Sequence, residues 1–212
     1  AVRSPAAAAR AHTRHGPGIT SGTKSVNKTD WDKRYREGFY PQKTEAHALL
    51  KRFWKEISGK YVLDLAMGNG RDSLYLAAKG FFVTGVDSSS EAVKRARESM
   101  DGLGVTIMPV LGDADNLPYK EGVFDCVIVF YFLERKIMEQ IRSLVRKGGI
   151  LIYETFLERQ NRIDPARNPA HLLKDGELAG HFRDFDLLYY EEVTEEQNGK
   201  TKIIARAVGR KQ

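Results

Sequence analysis

The chain has 212 residues, of which 42% are hydrophobic and 29% are charged. It can form one sizeable core, and no stretch approaches the roughly 18 uninterrupted apolar residues of a membrane span, so we expect a soluble, cytoplasmic protein that does not enter a membrane. Cys126 is the only cysteine, which excludes intramolecular disulfides, and its apolar neighbours predict a buried core thiol.

The net charge of +6 is concentrated at the start of the chain. Residues 1–29 contain five basic residues and no acidic ones, which leaves 29 basic against 28 acidic residues in the remainder. The segment is rich in small residues and has no repeating apolar face, which predicts a disordered tail, an expression remnant or a transit peptide that would direct the protein to an organelle. We expect one nearly neutral folded domain over residues 30–212, a charge balance that argues against a nucleic-acid partner.

The first predicted element is an amphipathic helix that begins near Thr29 or Asp30 and ends near Gly38. Trp31 and Tyr35 lie four positions apart and therefore share one face, which is expected to pack on the body of the domain. A second helix is expected near residues 44–57.

The most informative stretch is residues 61–72, where an apolar strand (61–66) containing Asp64 runs into a turn with Gly68 and Gly70. A helix is expected to follow over 71–79, and Gly80 can end it. The glycines permit positive φ and a close approach of the backbone to a ligand, and the free N–H groups at a helix start favour a carboxylate or phosphate. The pattern predicts a nucleotide-type cofactor site.

The next predicted strand, 82–87, ends in Asp87, which stands 23 positions after Asp64. An acid at the end of the second strand of a nucleotide-binding unit commonly holds the two ribose hydroxyls. A dinucleotide fingerprint would require a third glycine where Ser73 stands, so a dinucleotide-dependent oxidoreductase is the weaker alternative.

The remaining elements predict an α/β fold with helices on both faces of a doubly wound, mostly parallel, seven-stranded sheet. Two strands joined across Asn198-Gly199 predict a C-terminal antiparallel hairpin. The predicted ranges are helix 89–100, strand 105–111, strand 124–130, helix 135–146, strand 149–156, and the hairpin strands 185–193 and 201–208.

Four motifs in this order resemble those of the class I S-adenosylmethionine-dependent methyltransferases: Asp64-x-Ala66-x-Gly68-x-Gly70, the acid Asp87, the segment Gly112-Asp113-Ala114-Asp115, and Gly122-Val123-Phe124-Asp125 before the fourth strand. Ala66 replaces the first glycine of the family pattern. The resemblance implies a Rossmann-like fold, S-adenosylmethionine as cofactor with S-adenosylhomocysteine as product, and Asp113 as a partner of the adenine amino group. The residues it implies for cofactor binding are Trp31, Arg34, Tyr35, Asp64, Ala66, Gly68, Gly70, Arg71, Asp87, Ser88, Asp113, Ala114 and Phe130.

A Trp-Asp-x-Arg-Tyr element before the first motif resembles the small tellurite-resistance and thiopurine type of this family, in which the N-terminal helix covers the cofactor. Arg34 could then pair with the methionine carboxylate. No catalytic triad and no metal-ligand spacing is present. The candidates for a catalytic role are Tyr131, Glu154 and His171, while Phe132, Glu177, His181 and Arg183 lie in segments where the family places substrate contacts.

We therefore predict methyl transfer to a small-molecule acceptor, with a chalcogen oxyanion derivative or a thiol as examples. The Asn/Asp-Pro-Pro-aromatic motif of DNA amino methylation is not found after the fourth strand, where Phe130-Tyr131-Phe132-Leu133 stands. The alternatives are an RNA or protein methyltransferase, a non-catalytic S-adenosylmethionine-binding module, and the oxidoreductase named above.

Overall fold

The structure is a computed structural model that describes residues 28–41, 45–165, 167–197 and 199–212. Residues 1–27 of the predicted disordered tail lie outside the described residues. Asn198 of the predicted hairpin turn lies outside them as well. Within the described ranges no helix is long and apolar enough to cross a membrane.

One seven-stranded sheet in the order β3-β2-β1-β4-β5-β7-β6 organises the domain. Strands β1 to β5 are parallel, and β7 pairs antiparallel with both β5 and β6. This arrangement confirms the predicted fold class and its terminal hairpin. The strands are β1 (Tyr61–Leu65), β2 (Phe82–Asp87), β3 (Met108–Leu111), β4 (Phe124–Phe130), β5 (Val145–Phe156), β6 (Phe185–Gln197) and β7 (Lys200–Lys211).

Helices pack on both faces of the sheet. The sheet therefore separates the core into two apolar layers, one on each face. Strand β4 is buried along its whole length, as its uninterrupted apolar sequence requires in a sheet covered on both sides. Cys126 lies in that strand, and burial raises the pKa of its thiol well above the ordinary value, which confirms the predicted core role. The helices are α1 (Lys28–Arg36), α2 (Ala48–Phe53), α3 (Arg71–Ala77), α4 (Ser90–Leu103), α5 (Met138–Leu144) and α6 (Glu177–Gly180).

Several predicted bounds were wrong. The helix expected over 44–57 is the shorter α2, continued by a 3-10 turn over Trp54–Glu56, and the strand expected from residue 105 begins at Met108. The strand expected over 149–156 is longer, because β5 begins at Val145, which pairs with Phe124 ahead of a register shift between the two strands. An irregular strand pairing of this kind leaves no periodic signal in the sequence.

Candidate functional site

The predicted glycine turn joins β1 to α3 through alternate residues in the left-handed backbone region. Ala66, Gly68 and Gly70 have φ of 57°, 60° and 78°. A Cβ on Gly68 would lie 2.7 Å from the hydroxyl oxygen of Tyr35, so a side chain at this position would collide with α1. Ala66 holds this left-handed conformation although it carries a Cβ, at a cost of about 1 kcal/mol.

Asp64 lies at the end of β1 in a buried position. Its carboxylate accepts a hydrogen bond of 2.6 Å from the Ser73 hydroxyl on α3. Burial raises the pKa of Asp64 well above its ordinary value, and the nearby Asp72 carboxylate adds to the effect. The position of Asp64 ties the start of α3 to β1 and thereby fixes the turn between them.

Asp87 closes the other side of the turn. Its Oδ2 accepts from the backbone N–H of Gly68 at 2.8 Å, and its Oδ1 accepts from that of Ser89 at 2.9 Å. Burial raises the pKa of Asp87 despite these two donors and a third contact from the Ser88 backbone. Each carboxylate oxygen can accept more than one hydrogen bond, so the group retains acceptor capacity for a pair of hydroxyls.

Helix α1 is attached to the first turn of α4, directly after Asp87. The Asp32 carboxylate accepts from the Ser89 hydroxyl at 2.6 Å, from the Ser90 hydroxyl at 3.0 Å and from the Glu91 backbone N–H at 3.1 Å. The hydrogen bond from Ser89 lowers the pKa of Asp32. These contacts place α1 over the ends of β1 and β2, where a covering helix was predicted.

The aromatic residues of α1 form a small cluster with Tyr40. The Tyr40 ring lies 6.1 Å from that of Trp31 and 5.0 Å from that of Tyr35, and Arg95 of α4 donates to the Tyr35 carbonyl at 2.6 Å. Tyr35 is buried, and burial raises the pKa of its hydroxyl. Arg34 is exposed, with its guanidinium 5.0 Å from the centre of the Trp31 ring, so its predicted pairing with a ligand carboxylate stays a prediction.

Asp113 lies in the loop after β3 and is exposed. One of its carboxylate oxygens accepts from the Asp115 backbone N–H at 3.1 Å and so begins the 3-10 turn Ala114–Asn116. Gly112, the residue before it, donates to the Asp87 carbonyl at 2.9 Å. This hydrogen bond holds the predicted adenine-binding loop beside the predicted ribose-binding acid.

A row of four rings lies at the ends of β4 and β5. His47 stacks on Phe130 with ring centres 4.0 Å apart and an angle of 9°, Tyr131 is 5.3 Å from His47, and Phe156 is 4.8 Å from Tyr131. Phe130 is the last residue of β4, and Tyr131 follows it with a left-handed φ of 56°. We call these residues, His47, Phe130, Tyr131 and Phe156, the aromatic row.

His47 was not predicted from the sequence. Its backbone N–H and its ring nitrogen Nδ1 contact the two carboxylate oxygens of Asp72 at 2.8 and 2.7 Å, and the Arg71 guanidinium lies against the same ring. The pair joins α2 to the first turn of α3 and so places the aromatic row beside the glycine turn. The one sequence feature that could have drawn attention to His47 is its position near the start of a predicted helix. That position gives no indication of a contact with Asp72, 25 positions away.

Glu154 and Tyr131 belong to an ion-pair network that the sequence did not reveal. Arg206 of β7 donates to Glu154 at 2.7 Å, to Glu191 at 2.9 Å and to Glu195 at 2.7 Å. Burial raises the pKa of the Tyr131 hydroxyl, the negative charge of Glu154 adds to the effect, and the hydroxyl accepts from Lys202 at 2.8 Å. The Glu154 carboxylate is thus engaged by Arg206 near the end of β5, and a catalytic role for Glu154 or Tyr131 stays a prediction.

The other candidates cluster beyond β5, apart from the network. His171 is exposed, with Nδ1 3.0 Å from the Leu133 carbonyl oxygen. Glu177 makes two hydrogen bonds to Arg135, at 2.6 and 2.8 Å, and accepts from the Lys174 backbone N–H. Glu177 therefore holds the start of α6, and a substrate contact for it stays a prediction.

His181, Arg183 and Phe132 are placed by neighbouring side chains or backbone groups. His181 lies 3.6 Å from Glu177, and the exposed Arg183 lies 3.6 Å from Glu139. The Phe132 carbonyl accepts from the Tyr153 hydroxyl at 2.7 Å. None of these contacts joins the three residues to the glycine turn.

Comparison with known proteins gives one family match and several relatives. Residues 62–149 match the family described as a methyltransferase domain. The chain is 31% identical over 133 residues to the ubiquinone/menaquinone biosynthesis C-methyltransferase UbiE of Methylococcus capsulatus, covering 54% of this chain and 53% of that protein. It is 27% identical over 168 residues to the probable S-adenosyl-L-methionine-dependent methyltransferase TehB of Haemophilus influenzae, covering 74% of this chain and 58% of that protein.

Solved structures agree on the fold. The crystal structure of TehB from Haemophilus influenzae superposes with a TM-score of 0.68 at 24% identity, over 85% of this chain and 67% of the other. A chain studied in the conversion of a disulfide bond into a thioacetal group during echinomycin biosynthesis gives the same TM-score at 20% identity, over 87% and 91%. The chain thus spans about half the length of the curated relatives it matches and has the fold of both structures.

Proposed function

We propose that the chain transfers a methyl group from S-adenosylmethionine to a small-molecule acceptor. The proposal is supported by the match of residues 62–149 to a methyltransferase domain and by the similarity of sequence and fold to TehB. The observation that carries the proposal is the junction of the glycine turn and Asp87 with the aromatic row. A polar nucleoside site and an apolar wall meet there at the ends of adjacent parallel strands, the usual place for a ligand in an open α/β sheet.

The residues at this junction fit the cofactor. Asp87 retains acceptor capacity for the two ribose hydroxyls, and Asp113 has a second carboxylate oxygen for the adenine amino group. The left-handed turn at Gly68 keeps side chains away from the space beneath Tyr35. When bound, S-adenosylmethionine supplies a methyl group already activated by a positively charged sulfur.

The protein's contribution to transfer is binding, alignment and exclusion of water. Phe130, Tyr131 and Phe156 form an apolar wall at the ends of β4 and β5 that would exclude water from the site. Cations of the protein already lie over two of these rings, with Lys202 4.7 Å from the centre of Tyr131 and Arg167 3.8 Å from that of Phe156. The acceptor must lie in line with the sulfur–methyl bond, which its position between the aromatic row and α1 would provide. The raised pKa of Tyr131 keeps its hydroxyl protonated, so we assign it to orientation and not to proton removal.

The charge of the chain supports a small acceptor. Beyond residue 29 the basic and acidic residues nearly balance, at 29 and 28, so the domain has no large excess of positive charge for a polyanion. Arg206, the most enclosed cation near the aromatic row, is neutralised by three carboxylates. We therefore favour a small molecule such as a thiol or a chalcogen oxyanion over RNA or protein.

Titration calorimetry with S-adenosylhomocysteine and S-adenosylmethionine tests the cofactor. We expect both to bind, and Asp87→Asn to weaken binding at least tenfold, about 1.4 kcal/mol, because it removes a charged acceptor. Asp101→Asn, an exposed acid on α4, is the matched control and should bind as the unmodified protein does. Failure of both ligands to bind, together with binding of NAD, would overturn the assignment.

Turnover tests the acceptor. Tritiated S-adenosylmethionine is incubated with the protein and a cell extract supplemented with thiols, selenite and tellurite, and the small-molecule, protein and RNA fractions are counted separately. We expect label in the small-molecule fraction. Label only in protein or RNA contradicts the proposed acceptor class, and cofactor binding without any transfer contradicts catalysis in favour of a binding module.

A further inference from the structure

Three exposed lysines lie beside aromatic rings near the amino ends of β1 and β2. Lys55 and Lys79 lie over the Trp54 ring, 5.9 and 5.5 Å from its centre. Lys60 lies 5.4 Å from the centre of the Phe81 ring, which meets Trp54 edge to face with centres 6.5 Å apart. The three cations therefore belong to one continuous surface.

Phe82, the first residue of β2, extends this surface and is 65% exposed. Its backbone N–H donates to the Lys60 carbonyl at 2.7 Å, and its ring stacks on Tyr61 with centres 5.6 Å apart. A Cβ on Gly80 would lie 3.6 Å from Lys60 Nζ, so this ammonium group lies beside the residue that follows Lys79. We call the surface the lysine–aromatic patch, and its members are Lys55, Lys60, Lys79, Trp54, Phe81 and Phe82.

The positive charge of the patch is not balanced by neighbouring acids. Among the described residues, no carboxylate forms a salt bridge with any of the three lysines. Glu56, next to Lys55 in the chain, lies 3.2 Å from Arg210. Asp125 accepts from the Lys60 backbone N–H but pairs with the Arg146 guanidinium. Exposed cations without acidic partners attract an anionic ligand or surface.

Two more apolar side chains are exposed at the same edge of the sheet, where α4 ends and β3 begins. Leu103 is 61% exposed and Met108 is 39% exposed. Met108 lies on the same face of the sheet as Phe82, because it pairs with Thr84, two residues further along β2. Exposed apolar side chains beside lysines are typical of surfaces that bind anionic lipid.

The aromatic rings of the patch argue against a nucleic-acid partner, because base stacking requires an open ring face. Phe81 is buried, and two ammonium groups lie over the Trp54 ring. The Phe82 ring already stacks on Tyr61. The patch instead presents apolar atoms between separate point charges, which match the acyl boundary and the headgroups of an anionic bilayer.

We propose that the lysine–aromatic patch binds the surface of an anionic lipid membrane, with Phe82 in the headgroup region and the three lysines on lipid phosphates. The patch lies at the amino ends of β1 and β2, whereas the glycine turn and Asp87 lie at their carboxyl ends. Strand β1, with five residues, separates the two edges by about 16 Å. Membrane binding therefore leaves the proposed cofactor site open at the opposite edge, and it requires no spanning helix.

Sedimentation with lipid vesicles tests the proposal. The whole chain is mixed at low ionic strength with vesicles of phosphatidylcholine, or of phosphatidylcholine with phosphatidylglycerol, and the bound fraction is measured against lipid concentration. We expect binding only to the vesicles that contain the anionic lipid, and weaker binding as salt is added. The variant Lys55→Gln/Lys60→Gln/Lys79→Gln should lower the affinity about hundredfold, because each lysine near an anionic surface contributes about fivefold.

Matched variants separate the patch from overall charge and overall hydrophobicity. Lys33→Gln/Lys94→Gln/Lys136→Gln removes the same charge from exposed lysines that each pair with a carboxylate outside the patch, and it should lower the affinity less than about threefold. Phe82→Ser should lower the affinity about tenfold. Phe39→Ser, at a phenylalanine that is 68% exposed, should leave it unchanged. Urea unfolding shows which variants are folded, and either patch variant alone suffices if the other is not.

Equal losses in the two triple variants would assign vesicle binding to overall charge, including the five basic residues of positions 1–29, and would overturn the proposal. Absence of binding to anionic vesicles would overturn it as well. Fluorescence anisotropy with oligouridine and with a polyglutamate peptide tests the other anionic partners. If the unmodified protein binds either probe but not the vesicles, and the patch variant loses that binding, the partner is a nucleic acid or an acidic protein segment and the proposal is wrong.

Discussion

The two halves of the sheet are held together in different ways. We call β1 and β2 with the starts of α3 and α4 the cofactor half, because this is where we propose that the cofactor binds. Hydrogen bonds among these elements join residues 19, 9 and 2 positions apart: Gly68 to Asp87, Ser73 to Asp64, and Ser89 to Asp87. In the acceptor half, β4 to β7, charged side chains join residues 52 and 42 positions apart, as in Arg206 with Glu154 and Arg135 with Glu177.

Under the proposed function, this difference allows the fold to keep its cofactor while the methyl acceptor changes. A site made of backbone groups and nearby acids depends on a short sequence motif, whereas a site supported by distant ion pairs can be altered by changing a few side chains without disturbing the motif. Three changes to the protein would sharpen or break this comparison.

The largest effect is expected from Arg206→Met in the acceptor half. The change leaves Glu154, which is buried, without its cation, and removal of one partner from a buried ion pair costs about 3 kcal/mol or more. Urea unfolding at neutral pH measures the loss. Adding Glu154→Gln to Arg206→Met should restore part of the stability, because it removes the uncompensated charge.

Arg183→Met is the matched control for this prediction. Arg183 is 72% exposed and pairs with Glu139 at 3.6 Å, so its loss should cost less than about 0.5 kcal/mol. If Arg206→Met is no more destabilising than Arg183→Met, the network does not support the acceptor half and the contrast between the halves is lost.

A smaller effect, on affinity more than on stability, is expected from Gly68→Ala in the cofactor half. The alanine must adopt a φ of 60° and its Cβ would meet the Tyr35 hydroxyl, so we expect S-adenosylhomocysteine affinity to fall about tenfold, equivalent to roughly 1.4 kcal/mol. Calorimetry measures the change. In a Tyr35→Phe background, which lacks that hydroxyl oxygen, the loss caused by Gly68→Ala should be smaller.

Gly104→Ala separates collision from backbone strain. Gly104 has a nearly identical φ of 63°, but a Cβ there would have nothing within 4 Å, and it lies at the far end of α4. It should lower stability modestly and leave cofactor affinity unchanged. Equal affinity losses in the two variants would mean that the loss in Gly68→Ala does not come from a collision between its Cβ and Tyr35 of α1.

The smallest effect is expected from Glu177→Gln, and it depends on pH. Burial acts to raise the pKa of Glu177, but its hydrogen bonds to Arg135 prevail and lower the pKa to about 2. Because the folded-state pKa is below the unfolded value of about 4.3, the ionised group stabilises the fold above that pH, and its contribution is lost as pH falls toward 2. Glu177→Gln should cost about 1 kcal/mol at pH near 7.

The midpoints of urea unfolding, measured between pH 7 and pH 3, test the direction of this pH dependence. The difference in urea midpoint between the unmodified protein and Glu177→Gln should be constant above about pH 5. This gap should narrow below the unfolded-state pKa. Glu98→Gln, at an exposed pair with Lys94 on α4, should show almost no gap at any pH. A gap for Glu177→Gln that does not change with pH would contradict the role assigned to the carboxylate.

The cofactor half was predictable from the sequence because its determinants are local. The acid, the alternating small residues and Asp87 at the end of the next strand lie within 24 residues, and a strand followed by a helix fixes where they meet. The prediction included Ala66 as a replacement for glycine, although its positive φ follows only from the backbone.

The residues missed by sequence reasoning are those that act across long separations. Glu154 was predicted as a candidate, but Arg206 was not, because the antiparallel register that brings them opposite each other joins β5 to β7, two strands that are far apart in the sequence. His47 and Asp72 belong to different helices, and no spacing in the sequence predicts that they meet. The first four residues of β5, 145–148, were missed because their irregular pairing with β4 leaves no periodic signal in the sequence.

The burial of Cys126 has a practical consequence for measuring how α1 covers the site. Because the only thiol of the chain lies inside the sheet, a cysteine placed at the exposed position of Lys33 would be the one that reacts with a fluorescent or spin label. A label there would report the opening and closing of α1 in solution with the native sequence otherwise intact.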